Sequence, residues 1–366
     1  MAAPPLLVLG GGVAGLCISR ELLLAGAQAA IMRGRRPRTS EVAAGMLAPM
    51  AELSHNPGLG SLAVEALRDY PEFVAGLEAD TGMDVGFGRT GVLRVAFDEA
   101  EAVALREEVG RYEAAGLPSQ WLGPESCRRE EPGLGEVAGG LLSFDEAQVH
   151  AGLLLRALES APGRHTAIDD VEVVGVEDLG HEGGRVSYRR EETSVDELAA
   201  SAVIIALGSW SGQLNAAHLP VRPVKGQLLS FGRVSGPRRI LVAGHNYLLT
   251  KADGEVLLGG TMEEAGFSLD ATGEAQDLRR LLPRLYPQLV PQPATVRVGL
   301  RPATPDGLPV VGWVGGKRPI YAFSGHFRNG FLLAPLTARL AAAEIMEAKV
   351  SPLLQPLRPD RFQPPA

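Results

Sequence analysis

Leu6-Leu7-Val8-Leu9-Gly10-Gly11-Gly12-Val13-Ala14-Gly15-Leu16 is the stretch on which the fold turns. A short apolar run meets a glycine cluster at once and then becomes a helical pattern. Leu6 to Leu9 reads as a buried parallel strand. Val13 to Ala25 reads as a helix with Leu16, Leu23 and Leu24 on its apolar side and Gly26 as its stop. Ala27 to Met32 reads as a second strand. Together they form a strand–helix–strand unit of the size that opens a dinucleotide-binding domain.

Gly10, Gly12 and Gly15 fit G-x-G-x-x-G with the correct flanks. The first glycine permits the tight turn, the second lets the backbone approach a pyrophosphate, and the third lets helix and strand pack closely. The helix N-terminus favours phosphate charge, so Val13 and Ala14 join the expected contacts. A glycine-rich turn without a ligand is the plain alternative. One part is missing: an acidic residue usually ends the second strand and binds ribose hydroxyls. Here Arg33, Gly34, Arg35 and Arg36 follow Met32. This leaves FAD, a 2′-phosphate and NADP, or a solvated basic turn open at this point. With FAD, Arg33 is expected near the adenosine ribose.

The chain has 366 residues, which suggests two domains. Apolar residues make up 45% and charged residues 21%, as in soluble enzymes. The net charge of -8 argues against a broad nucleic-acid surface. Cys17 and Cys127 offer neither a disulfide framework nor a zinc site. His55, His150, His165, His181 and His218 lack metal-ligand spacing, so no metal is expected. No signal peptide or membrane span is apparent. A soluble, cytoplasmic enzyme is expected; a homo-oligomer is left open.

Farther along, Ser61 to Asp80 reads as a helix with Leu62, Leu67, Phe73 and Leu77 inward and Pro71 as a point where it can kink. Gly91 to Phe97 reads as a strand and Asp98 to Ala115 as a surface helix. Short β-like runs follow at Val171 to Val176 and Arg185 to Tyr188, and Ser201 to Leu207 is a buried strand. Val221 to Phe231, Tyr247 to Lys251 and Glu255 to Gly259 read as strands of a second sheet. Gln276 to Tyr286 and Phe331 to Ala348 read as helices. The fold class is α/β, with a parallel-sheet nucleotide domain interleaved with an antiparallel-sheet substrate domain. Residues 1–45, 145–215 and 298–350 are assigned to the first and 46–144 and 216–297 to the second. Residues 351–366 form a Pro-rich tail, expected to be weakly ordered.

Four further blocks carry chemistry: Ala43-Ala-Gly-Met-Leu47, Gly260-Thr-Met-Glu-Glu264, Gly299-Leu-Arg-Pro302 and Gly325-His-Phe-Arg-Asn-Gly330, alongside Pro223-Val-Lys-Gly-Gln227. In this collinear combination the sequence resembles the D-amino-acid oxidase superfamily, and within it the glycine oxidases of thiamine biosynthesis. The resemblance covers nearly the whole chain. It implies an FAD-binding Rossmann-like domain of glutathione-reductase type and oxidative deamination of a small amino acid with molecular oxygen. Glycine is the favoured substrate, followed by sarcosine and small D-amino acids. FAD is expected to be non-covalent, because the C-terminal cysteine that sarcosine oxidases use has no counterpart.

The resemblance also implies roles, residue by residue. Ala44, Gly45 and Met46 line the flavin and the substrate cavity. Val173 offers backbone to the adenosine, and Ala206, Gly208 and Trp210 lie beside the cofactor. Tyr247 and Arg301 hold the substrate carboxylate, with Arg328 as a second active-site arginine. Met262 borders the substrate, and His326, Phe327, Asn329, Gly330 and Phe331 meet the flavin. Arginine suits a carboxylate because its planar fork makes two charge-assisted hydrogen bonds. The final helix would offer its positive end to the reduced ring. The residues alone leave plainer readings: Arg301 in a surface turn or a structural ion pair, Tyr247 as a sheet aromatic, His326 as a core histidine. Glu263 and Glu264 read as structural or rim residues, because adjacent strand residues face opposite sides. Alternative activities are N-methyl or cyclic amino-acid oxidation, a dehydrogenase, an NADP-linked reductase, or a flavin-binding protein without catalysis.

Overall fold

The structure, a computed structural model, describes residues 5–54, 56–161, 166–191, 194–214 and 218–362. His55, His165 and the last four residues of the tail lie outside the described residues. Strand Leu6–Leu9 is flanked on both sides by parallel neighbours, Ala29–Gly34 and Ala202–Ile205. Every residue of Leu6–Leu9 is buried, as a strand covered on both faces must be. Helix Val13–Leu24 follows the glycine turn.

The sheet grows outward from this centre to eight strands. Ile320–Ser324 adds parallel beyond Ala202–Ile205, and Val310–Trp313 closes that edge antiparallel. On the other side Thr166–Asp178 adds parallel to Ala29–Gly34. Gly184–Arg189 and Asp196–Ala200 then continue as an antiparallel ribbon. What the sequence shows as two short β-like runs is therefore one long strand and its return. The register shifts between Val173 and Gly175, a bulge that turns Val174 outward.

The second sheet also has eight strands, with Thr295–Ala303 at one edge and Arg222–Arg233 beside it. Glu255–Gly259, Asn246–Thr250 and Ile240–Ala243 follow antiparallel. Val92–Ala96 joins parallel, and Gly139–Ser143 and Ser119–Leu122 complete the sheet. Both sheets are assembled from separated stretches of chain. Strand Thr295–Ala303, on which the expected boundary at 298 falls, belongs wholly to the second sheet. The two sheets meet where the Leu300 carbonyl accepts from Thr39 Oγ1 at 2.5 Å and from Ser209 Oγ at 2.7 Å.

The helix expected over 61–80 is present as Gly60–Thr81, with Pro71 inside it. Two local readings are corrected. The expected helix 276–286 is two short ones, Glu274–Arg279 and Leu282–Leu285. Pro283 sits in the first turn of the second, where its missing N–H costs nothing, and it would obstruct a continuous helix. The tail packs rather than trailing: Leu354 and Leu357 are buried in the main core, and the Arg358 guanidinium meets the Glu344 carboxylate at 2.7 Å. Removing a leucine side chain from such a core costs ~2–5 kcal/mol. Leu354→Ala is accordingly expected to lower the unfolding free energy by that amount, measured by denaturant titration. A change below ~0.5 kcal/mol, usual for exposed positions, would show that the tail contributes no packing.

Candidate active site

The glycine turn forms one end of a long cavity of about 890 Å³. Gly10 adopts φ +117°, and a Cβ there would lie 2.2 Å from the Ala206 carbonyl oxygen. A Cβ on Gly15 would lie 1.8 Å from the Gly10 carbonyl oxygen. Gly12 has open space apart from Ser40 Oγ at 3.3 Å. The Ser40 hydroxyl accepts the Val13 N–H at 3.0 Å, joining the first helix to the next segment. Midway along the cavity Gly45 has φ +80°, and a Cβ there would lie 2.0 Å from the Val149 carbonyl oxygen. The absent side chain lets this segment pack against the Val149 backbone while its residues line the cavity.

Of the residues singled out from the sequence, all border this cavity except Gly15 and Arg33. Gly15 is a packing glycine. Arg33 turns away: its guanidinium forks onto the Asp169 carboxylate, with Nη2 to Oδ2 at 2.7 Å. The neighbouring arginines are also occupied. Arg35 donates to the Asp170 carbonyl at 2.8 Å, and Arg36 pairs with Glu172 and lies 5.4 Å over the Trp210 ring. Arg38 meets Glu159, Glu41 and the Gly11 carbonyl. Arg33, Arg36 and Arg38 are thus each paired with a carboxylate, while exposed Arg35 at the cavity has a carbonyl partner.

At the far end four side chains converge: Arg301, Tyr247, Arg328 and Glu52 all border the cavity. Arg301 leaves strand Thr295–Ala303 across the face of Gly226; a Cβ on Gly226 would lie 2.0 Å from its Nη1. Tyr247 crosses Gly259 in the same way, with its hydroxyl 2.3 Å from where a Cβ would stand. Two glycines therefore create the room for two functional side chains. Arg301 Nη1 donates to the Thr261 carbonyl at 2.7 Å. Among the described residues no carboxylate lies within ion-pair distance of Arg301. Burial pushes its pKa down, Tyr247 opposes the shift, and Arg328 adds to it.

Arg328 differs. Its Nη2 lies 3.2 Å from Glu52 Oε1, and both side chains are largely buried. Glu52 was not singled out from the sequence. It is one acid in Pro49–Leu53, and nothing in that pattern sets it apart. The turn from His326 to Asn329 holds Phe327 at φ +47° and leads into helix Gly330–Glu347, whose start has no side-chain cap. Its first N–H groups border the cavity and polarise that end positively. His326 is buried against Phe323, and its Nε2 lies 3.3 Å from Thr337 Oγ1. Burial pushes its pKa down to about 4, so it is neutral at physiological pH. Met46 is half-buried and Met262 is exposed at the rim.

Residues 6–344 match the family described as "DAO: FAD dependent oxidoreductase". The chain belongs to this DAO family of FAD-dependent oxidoreductases. Its cofactor is FAD, and the cavity fits it: the dinucleotide turn, the small residues Ala43, Ala44 and Gly45, and the uncapped start of helix Gly330–Glu347 all line it. The DAO-family chain is 35% identical to the "Bifunctional protein ThiO/ThiG" of Trichormus variabilis over 98% of its length, but covers 55% of that protein. It thus spans about half the length of the curated relatives of that kind. It is 32% identical to a glycine oxidase of Pseudomonas aeruginosa, covering 95% of this chain and 96% of that one. The fold matches the crystal structure of glycine oxidase from Geobacillus kaustophilus with a TM-score of 0.88 at 29% identity, over 98% and 99% of the two chains. Among the described residues no helix is long and apolar enough to cross a membrane, and no cluster of His, Cys, Asp and Glu could hold a metal.

The short helix that carries Glu52 begins on a buried carboxylate. Glu146 Oε1 accepts the Met50 N–H at 2.9 Å. Burial pushes the Glu146 pKa from 4.5 up to about 7, against the pull of the Met50 N–H and the Arg94 charge. Between those two values the folded chain holds a proton that the unfolded chain has lost. Stability from this group is therefore present below pH 4.5 and is lost as pH rises towards 7, by up to ~3 kcal/mol. Glu146→Gln removes that loss. The thermal midpoint of the variant relative to wild type is expected to rise from pH 5 to pH 8. A difference independent of pH would contradict the assignment.

Proposed function

We propose that this protein oxidises a small amino acid, with glycine first and sarcosine and small D-amino acids next, to an imine that hydrolyses to a 2-oxo acid and ammonia. Two hydrogens leave the substrate and reach oxygen as hydrogen peroxide. The observation that carries the reading is Arg301: a half-buried guanidinium on the cavity wall that has, among the described residues, one carbonyl partner and no carboxylate within ion-pair distance. Glu52 neutralises Arg328, so the inner end of the cavity keeps one cation in excess, matching one substrate carboxylate. The glycine oxidases that align with both chains nearly in full support the same reading.

The two free nitrogens of the Arg301 fork hold the carboxylate, and the Tyr247 hydroxyl closes the clamp. This fixes the substrate α-carbon before any bond breaks, which removes orientational freedom from the barrier. Met46 and Met262 bound the space for the side chain, and methionine adapts rather than excludes. The flavin, held non-covalently, supplies the electron chemistry when bound. The first turn of helix Gly330–Glu347 places positive dipole where negative charge develops. Buried, unpaired Cys17 and Cys127 ask for no oxidising compartment, and the cytoplasm is the proposed location.

The test is a peroxide-coupled assay of the FAD-loaded protein against glycine, sarcosine, proline and both alanine enantiomers. A hydrogen bond to a charged group is worth about 1.5–3 kcal/mol. Arg301→Ala is therefore expected to lower kcat/KM by ~10-fold to ~100-fold or more, mostly in KM. Arg301→Lys should recover only part, because it restores charge without the fork. FAD content should stay normal in both. Near-normal kcat/KM in Arg301→Ala for every accepted amino acid would remove Arg301 as the carboxylate anchor.

A further inference from the structure

The segment Gly260 to Thr272 crosses over strand Arg222–Arg233 on its way out of the second sheet. Lys225 and Glu263 exchange backbone hydrogen bonds in both directions, each 2.9 Å long. Their side chains also join, with Lys225 Nζ 3.0 Å from Glu263 Oε2. Lys225 is 1% exposed, and it donates further to the Asp270 carbonyl at 3.1 Å. The Glu263 carboxylate accepts from Gln227 Nε2 at 2.7 Å and from the Thr272 hydroxyl at 2.8 Å. The Thr261 hydroxyl stands 3.4 Å from Glu263 Oε1 and itself accepts the Gln227 N–H at 2.6 Å. Thr261 is thus fixed from two sides, and its carbonyl is, among the described residues, the one hydrogen-bond acceptor that Arg301 has. Glu264, next in sequence, faces the other way and pairs with Arg222 at the surface.

We propose that Glu263 is a positioning residue for substrate binding, acting through Thr261 to aim the Arg301 fork at the substrate carboxylate. This deepens the amino-acid reading above and rests on it. A guanidinium at the end of a long side chain has many rotamers, and two-point binding of a carboxylate needs one of them. The Thr261 carbonyl occupies Nη1 and selects that one. A carbonyl on a free loop would not hold it; one locked by Glu263 and Gln227 does. Burial pushes the Glu263 pKa up, but Gln227, Lys225 and Thr272 overcome this and hold it below the usual carboxylate range. The carboxylate therefore stays charged beside buried Lys225, which has no other carboxylate within ion-pair distance among the described residues.

The experiment titrates the FAD-loaded protein with glycolate, which carries the carboxylate of glycine without its amine, and follows the visible spectrum of the flavin. Glu263→Gln keeps the size and removes the charge. Its glycolate Kd is expected to rise about tenfold, with FAD content unchanged and the KM for glycine raised more than kcat is lowered. In an Arg301→Lys background the same substitution should add less than twofold, because no fork remains to be aimed. Should Glu263→Gln fail to fold, Thr261→Ala removes the hydroxyl link alone. It should weaken glycolate severalfold, and Thr261→Ser should recover most of that loss. Equal effects of Glu263→Gln in both backgrounds, unchanged glycolate affinity, or equal behaviour of Thr261→Ala and Thr261→Ser would overturn the proposal. A wild-type protein that binds no glycolate would instead defeat the amino-acid reading itself.

Discussion

A guanidinium inside a protein must be paired or it is expensive to keep there. Half-buried Arg33 and Arg38 obey this rule with the carboxylates of Asp169 and Glu159. Arg328 obeys it with Glu52. Arg301 does not. Its single carbonyl partner satisfies one donor and none of the charge. On the proposed reading, the substrate carboxylate resolves that imbalance.

Much of the site's arrangement is made by missing side chains. Gly226 and Gly259 clear the surface of one sheet for Arg301 and Tyr247, while Gly10 and Gly45 allow close backbone packing against Ala206 and Val149 beside the cavity. The Leu300 carbonyl takes hydrogen bonds from Thr39 and Ser209, which ties the strand that carries Arg301 to the segments that follow strands Ala29–Gly34 and Ala202–Ile205. The short helix with Glu52 is held by buried Glu146, and the Thr261 segment by Glu263 and Lys225. Ionisable groups that never reach the cavity therefore set the geometry of those that do.

Interactions between near neighbours in sequence were legible from the beginning. The turn at Gly10 and the helix after Gly330 depend on local backbone rules, and both lie where those rules put them. What escaped depends on distant pairing. Arg33 meets Asp169 across 136 residues, and no local pattern announces that partner. Glu52 is an ordinary acid until the fold sets Arg328 beside it. Glu263 read as a structural or rim residue, and its partner Lys225 stayed hidden because the strand register that joins them is invisible in one dimension. The tail was misread because proline-rich composition says nothing about where Leu354 and Leu357 land. The split of helix 276–286 has a local cause in Pro283, which sits in the first turn of the second of the two short helices.

The central claim is that Arg301 holds the substrate carboxylate from its place over Gly226, and Gly226→Ala tests it most directly. The added methyl would stand 2.0 Å from Nη1. It meets the movable end of a side chain rather than backbone, so the fold has a way to survive while the guanidinium shifts. The account predicts a protein that keeps its FAD and binds glycolate at least ~10-fold more weakly than wild type, the ~1.4 kcal/mol equivalent of losing part of a charge-assisted contact. A Gly226→Ala protein that retains FAD and binds glycolate as tightly as wild type would contradict it.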